Sequence, residues 1–63
     1  MTQKELSYFE DAIGHETNII KIVSDTITKL TDESLISFMN NELDKHNNLK
    51  EKLITMLEEK ANG

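Results

Sequence analysis

The fold is decided by residues 6–30, which read LSYFEDAIGHETNIIKIVSDTITKL. Apolar side chains recur there in alternating steps of three and four, the spacing of one side of an α-helix. Two lengthwise rows hold Leu6, Phe9, Ile13, Glu16, Ile20, Val23, Ile27 and Leu30. Two adjacent rows add Tyr8, Ala12, His15, Ile19, Ile22 and Thr26. The pattern predicts a long amphipathic helix whose apolar side is four rows wide.

A second amphipathic segment follows. Its apolar stripe contains Leu35, Ile36, Met39, Glu42, Leu43, His46, Leu49, Leu53, Met56 and Leu57. Thr2 and Glu5 have capping-box spacing, and Thr31-Asp32-Glu33-Ser34 offers a cap and early acids for the second helix. We therefore expect one domain over residues 1–63, with helices over 3–30 and 33–61, a turn at 31–32 and Asn62-Gly63 as a C-cap. So short a link makes the helices antiparallel neighbours, which predicts an all-α, two-helix hairpin.

Length and composition narrow the classes of function. The chain has 63 residues, no cysteine and a net charge of −5, and all seven of its basic residues are lysines. An acidic surface without arginine disfavours nucleic-acid binding, and no apolar run reaches the roughly 20 residues of a membrane span. The absence of cysteine suits a reducing compartment. We expect a cytoplasmic protein that binds neither nucleic acid nor membrane.

The width of the first apolar side predicts a partner. A helix packed on one neighbour needs a narrow seam, so Tyr8, Ile19 and Ile22 would stay wet in an isolated hairpin. A second hairpin would complete a four-helix bundle, and two-fold dimers are the commonest assemblies, although docking on a different protein satisfies the same physics. The expected dimer interface comprises Tyr8, Phe9, Ala12, Ile19, Ile22, Val23 and Met39.

Three ionisable residues interrupt the apolar stripes. With a turn near residues 31–32, facing positions have numbers that sum to about 63, so Glu16 should lie opposite His46, with Glu42 one turn from His46. A two-fold dimer would gather four carboxylates and two imidazoles, donors that suit iron, manganese or zinc. A buried polar layer that fixes register is a second interpretation, and a surface pair of Glu42 with His46 is a third. No other catalytic constellation is present, so we expect no enzymatic activity and no other cofactor.

Parts of the chain resemble known families. Residues 6–16 (LSYFEDAIGHE), residues 31–35 (TDESL) and Asp44-Lys45-His46 are similar to short ferritin-like proteins of spore-forming bacteria, the spore coat F type. That resemblance implies a ferritin-like bundle of paired hairpins, a structural part in sporulation, a forespore or spore-coat location, and metal ligands at Glu16, Glu42 and His46. The family's metal motif is Glu-x-x-His, whereas Glu42 and His46 are four residues apart.

A second resemblance implies a different function. Residues 40–45 (NNELDK) are similar to the Ser-Gln-Glu-Leu-Asp signature of small helical-hairpin phosphatases that act on sporulation response regulators. It implies a regulator in which Glu42 and Asp44 contact the phosphoaspartate site of a partner protein, with Glu42 facing outward. Asn40 and Asn41 stand where that signature has serine and glutamine.

Overall fold

The computed structural model describes residues 1–62 and contains two α-helices, α1 over Gln3–Ile27 and α2 over Glu33–Asn62. The helices pack against each other as a hairpin 46 Å long, 15 Å wide and 11 Å thick. Met1 and Gln3 share a surface depression with Lys60 and Ala61, so the two chain ends meet at the end away from the turn. The predicted all-α antiparallel hairpin is confirmed. Gly63, half of the expected C-cap, lies outside the described residues.

The start of α1 is fixed by the predicted capping box. The backbone N–H of Glu5 donates to Thr2 Oγ1 at 3.0 Å, and the backbone N–H of Thr2 donates to Glu5 Oε1 at 2.8 Å. These reciprocal bonds satisfy donors that the first turn of a helix leaves without partners. The bonds from Thr2 also lower the pKa of Glu5, because they favour its ionised form.

The end of α1 comes three residues earlier than expected. The backbone N–H of Lys29 donates to the Thr26 carbonyl at 3.0 Å, and that of Leu30 donates to the Ile27 carbonyl at 3.3 Å. Both bonds reach back three residues instead of four, so the last turn tightens and the helix cannot continue. The connection therefore spans residues 28–32, longer than the expected turn at 31–32.

Asp32 caps α2. Its Oδ1 accepts hydrogen bonds from the backbone N–H of Ser34 at 2.9 Å, the backbone N–H of Leu35 at 3.1 Å and the Ser34 hydroxyl at 2.6 Å. The expected cap in residues 31–34 is thereby assigned to Asp32. The Ser34 hydroxyl and the Leu35 amide lower the pKa of Asp32 below its ordinary value of 3.8, because they stabilise the carboxylate.

The Asp32 cap makes the stability of the hairpin depend on pH in the acidic range. A folded-state pKa below the unfolded value stabilises the fold above the unfolded pKa, and the stabilisation is lost as pH falls through the folded pKa. Asp32→Asn keeps a capping side chain but removes the charge. We expect the wild type to unfold at higher urea than Asp32→Asn at pH 6, with the gap closing between about pH 5 and about pH 2. Urea titrations followed by circular dichroism measure it, and a gap that stays constant down to pH 2 would contradict the assignment.

The seam, which is the line along which α1 and α2 contact each other, buries little apolar surface. Among residues 1–61 no apolar side chain is buried, and the one buried residue is Glu16, whose relative exposure is 8%. Large apolar side chains remain open to solvent on both helices, notably Tyr8 at 63%, Phe38 at 58% and Ile22 at 55%. Across the described helices, no stretch is both long and apolar enough to cross a membrane. Among these residues, the single hairpin therefore has contacts along the seam but no buried apolar core.

Candidate functional site

The two helices meet at a polar contact between Glu16 and His46. Glu16 Oε2 lies 2.5 Å from His46 Nδ1, and the two side chains are 10% and 28% exposed. Glu16 occupies the seam row of α1 between Ile13 and Ile20, and His46 occupies the matching row of α2. Their numbers sum to 62, which confirms the predicted level at which the helices face each other.

The Glu16–His46 contact offsets the free-energy cost of burying the Glu16 carboxylate. An unpaired carboxylate loses its hydration when it is buried, so it needs a hydrogen-bond donor. With its proton on Nδ1, the His46 ring donates to Glu16 across the seam, and such a bond is shorter and stronger when a charge takes part. Because a hydrogen bond needs a specific distance and angle, a shift of one helix by one turn would leave the Glu16 carboxylate among apolar side chains without its partner. The pair can therefore fix the register of the two helices.

Glu42 does not join that contact. Its Oε1 lies 3.1 Å from Lys45 Nζ on the same helix, where the two side chains are 33% and 73% exposed. The structure thus brings together two of the three predicted ligands and pairs the third with a lysine. Within residues 1–61 of one chain, no three His, Asp or Glu side chains are placed to hold a metal ion. A metal site at Glu16, Glu42 and His46 stays a prediction that needs a second copy.

The predicted interface residues divide into two groups. Tyr8 and Ile22 are among the most exposed apolar side chains. The others are partly buried along or beside the seam, and they are Phe9, Ala12, Ile19, Val23 and Met39. The exposed pair continues the broad apolar side of α1 away from the seam.

Three apolar residues of α2 belong with that exposed pair, although the predicted interface does not include them. Phe38, Leu49 and Met56 are 58%, 43% and 47% exposed. Both helices are right-handed and they run antiparallel. The side-chain rows on one flank of Glu16 in α1 and on the corresponding flank of His46 in α2 therefore lie on the same side of the hairpin. We call this side the open face, and it comprises Tyr8, Ala12, Ile19, Ile22, Phe38, Leu49 and Met56. Counting rows on the two helices together would have found it.

The segment similar to the phosphatase signature lies on α2. Asn40, Asn41 and Asp44 are exposed, whereas Glu42 is only partly exposed and is engaged by Lys45. Asp44 is thus accessible to a partner protein, and Glu42 faces outward only in part.

Comparisons with known proteins add no assignment, because no family model, curated protein or solved structure matches the chain.

Proposed function

We propose that the chain is a non-enzymatic structural protein that acts as a self-associating helical hairpin, two copies forming a four-helix bundle. The observation that carries this proposal is the lack of any buried apolar side chain among residues 1–61 of a single hairpin. Tyr8, Ile22 and Phe38 each expose more than half of their accessible surface. Association is the direct way to remove that surface from water.

The size of the effect favours association over an isolated hairpin. Burying one large apolar side chain stabilises a fold by about 1.5–3 kcal/mol, while small domains have only about 5–15 kcal/mol in total. The open face contributes several such side chains from each copy. Chains of this length bury too little surface alone and commonly rely on a partner, a metal or disulfides, and this one has no cysteine.

The Glu16–His46 pair fits the role of a specificity element in such a bundle. Apolar rows alone allow several registers of similar energy, whereas a buried polar group penalises every register that leaves it without its partner. The pair lies halfway along the hairpin, where a shift in either direction breaks it. Its role in this proposal is to select one packing of the helices.

The resemblance to spore coat F type proteins supplies a cellular setting for this proposal. The resemblance spans residues 6–16 and 31–35 and the Asp44-Lys45-His46 run, which includes the seam histidine. A small, acidic, self-associating hairpin suits a structural component of a protein layer in sporulation. In that setting the chain binds copies of itself and catalyses no reaction.

Sedimentation equilibrium of the purified chain tests the proposal. We expect twice the chain mass of 7.2 kDa at tens of micromolar, with helix content falling on dilution as dimers separate. The dependence on concentration arises because the hairpin gains its missing apolar contacts only in the dimer. A monomer that stays helical at all concentrations would refute self-association.

The same samples test a ferritin-like metal bundle, the alternative that the buried Glu16–His46 pair favours. Added iron, manganese or zinc should then bind at one or two ions per dimer and raise the unfolding temperature, and Glu16→Ala should abolish both effects. Asp44→Ala is the matched control, because Asp44 is an exposed carboxylate on the same helix as His46. Dimers that bind no metal would leave structural self-association as the function.

A further inference from the structure

The open face has an internal symmetry about the Glu16–His46 level. At about 1.5 Å of rise per residue, Ile22 lies about 9 Å toward the turn and Tyr8 about 12 Å toward the open end. On α2, Phe38 lies about 12 Å toward the turn and Met56 about 15 Å toward the open end. Each helix thus carries a matched apolar pair on either side of the polar level. A surface that contacts its own copy across a two-fold axis needs this kind of self-complementarity.

We propose that the open face binds a second copy of this chain with the two turns at opposite ends of the bundle. This orientation rests on the proposed homodimer and specifies it. The two-fold axis crosses the hairpins at the Glu16–His46 level and stacks α1 on α1 and α2 on α2. Tyr8 then meets Ile22 of the second copy, and Phe38 meets Met56 of the second copy. Ala12 and Ile19 pair in the same way closer to the axis.

Charge on the open face favours this orientation over the one with both turns at the same end. Turns at the same end would stack α1 on α2 and set Ile19 against the Glu42–Lys45 ion pair of the second copy. Turns at opposite ends instead place Glu42 and Lys52 of the second copy only about 3 Å apart along the axis of the stacked helices. α1 then meets only α1 of the second copy, with His15 of each copy next to the axis, and Glu42, Lys45 and Lys52 of both copies lie along α2.

The open face is also large enough for a stable pair. The hairpin is 46 Å long and 15 Å wide, a footprint of about 700 Å², which lies within the roughly 600–1,000 Å² per partner of standard stable interfaces. The orientation bears on the metal alternative too, because it separates the two Glu42 residues by about 12 Å along the bundle. A single site with all four carboxylates requires the other orientation.

Introduced cysteines report the orientation directly, because the chain has none of its own. Ile22→Cys is mixed in equal amounts with Tyr8→Cys in one sample and with Phe38→Cys in another, and both are oxidised with copper phenanthroline. A disulfide forms when Cα atoms come within about 7 Å. We expect the Tyr8 and Ile22 variants to cross-link several-fold more than the Ile22 and Phe38 variants. His15→Cys alone, next to the axis, should cross-link to itself.

The outcomes separate the orientation from the dimer. Preferential cross-linking of the Ile22 and Phe38 variants, with no His15→Cys product, would show turns at the same end and overturn the inference while keeping the dimer. Dimers by sedimentation that give none of these cross-links would place the interface elsewhere, which also overturns the inference. Monomers of the unmodified chain would refute the proposed function itself.

Discussion

Ile19→Glu is expected to dissociate the dimer and to unfold most of the chain at micromolar concentration. Ile19 lies on the open face near the two-fold axis, so each dimer receives two carboxylates where two large apolar side chains should pack. Losing two such burials costs about 3–6 kcal/mol, or roughly 10²–10⁴-fold in the dissociation constant. Because the single hairpin buries no apolar side chain among residues 1–61, the released monomer has little to hold it folded.

Sedimentation equilibrium and circular dichroism at matched concentrations measure the effect of Ile19→Glu. Asn18→Glu is the control, since it adds the same charge one residue away on the exposed side of α1. That variant should keep the mass and helix content of the wild type, with stability changed by no more than about 0.5 kcal/mol. Equal behaviour of the two variants would show that the open face is not the interface.

Replacing the polar pair by Glu16→Leu with His46→Leu is expected to stabilise the helical state while it loosens the choice of register. Exchanging a buried polar pair for apolar side chains of similar volume is often neutral or stabilising, by up to about 1–4 kcal/mol. Either single replacement should be worse than the double replacement, because it leaves the other polar group at the seam without its partner. We therefore expect the pair to contribute more to the specificity of packing than to stability.

A double-mutant cycle on urea unfolding at fixed chain concentration gives the coupling between Glu16 and His46. Lys21→Leu with Asp25→Leu is the control, since it adds two leucines on the exposed side of α1. We expect the seam double variant to sediment as a broader mixture of assemblies and the control to remain a single species. A seam double variant that is less stable than both single variants would contradict a specificity role.

The sequence predicted the two helices, the hairpin and the level of Glu16 against His46. These features follow from local rules: a period near 3.6, capping residues at Thr2 and Asp32, and a link too short for anything except antiparallel neighbours. The Glu16–His46 distance of 2.5 Å confirms the pairing that was predicted from the residue numbers, although the two residues are 30 positions apart in the chain. The end of α1 was less predictable, because the tightening at residues 26–30 depends on which carbonyl each amide reaches.

Two features became clear only from the tertiary structure. Glu42 turned to Lys45, three residues along its own helix, since a lysine within reach on the same helix satisfies a carboxylate without crossing the seam. The open face needed the relative orientation of both helices, because the side to which Phe38 and Met56 turn is defined only after α2 lies antiparallel to α1. Sequence periodicity predicts the apolar side of each helix separately, whereas the open face depends on how the two helices are oriented relative to each other.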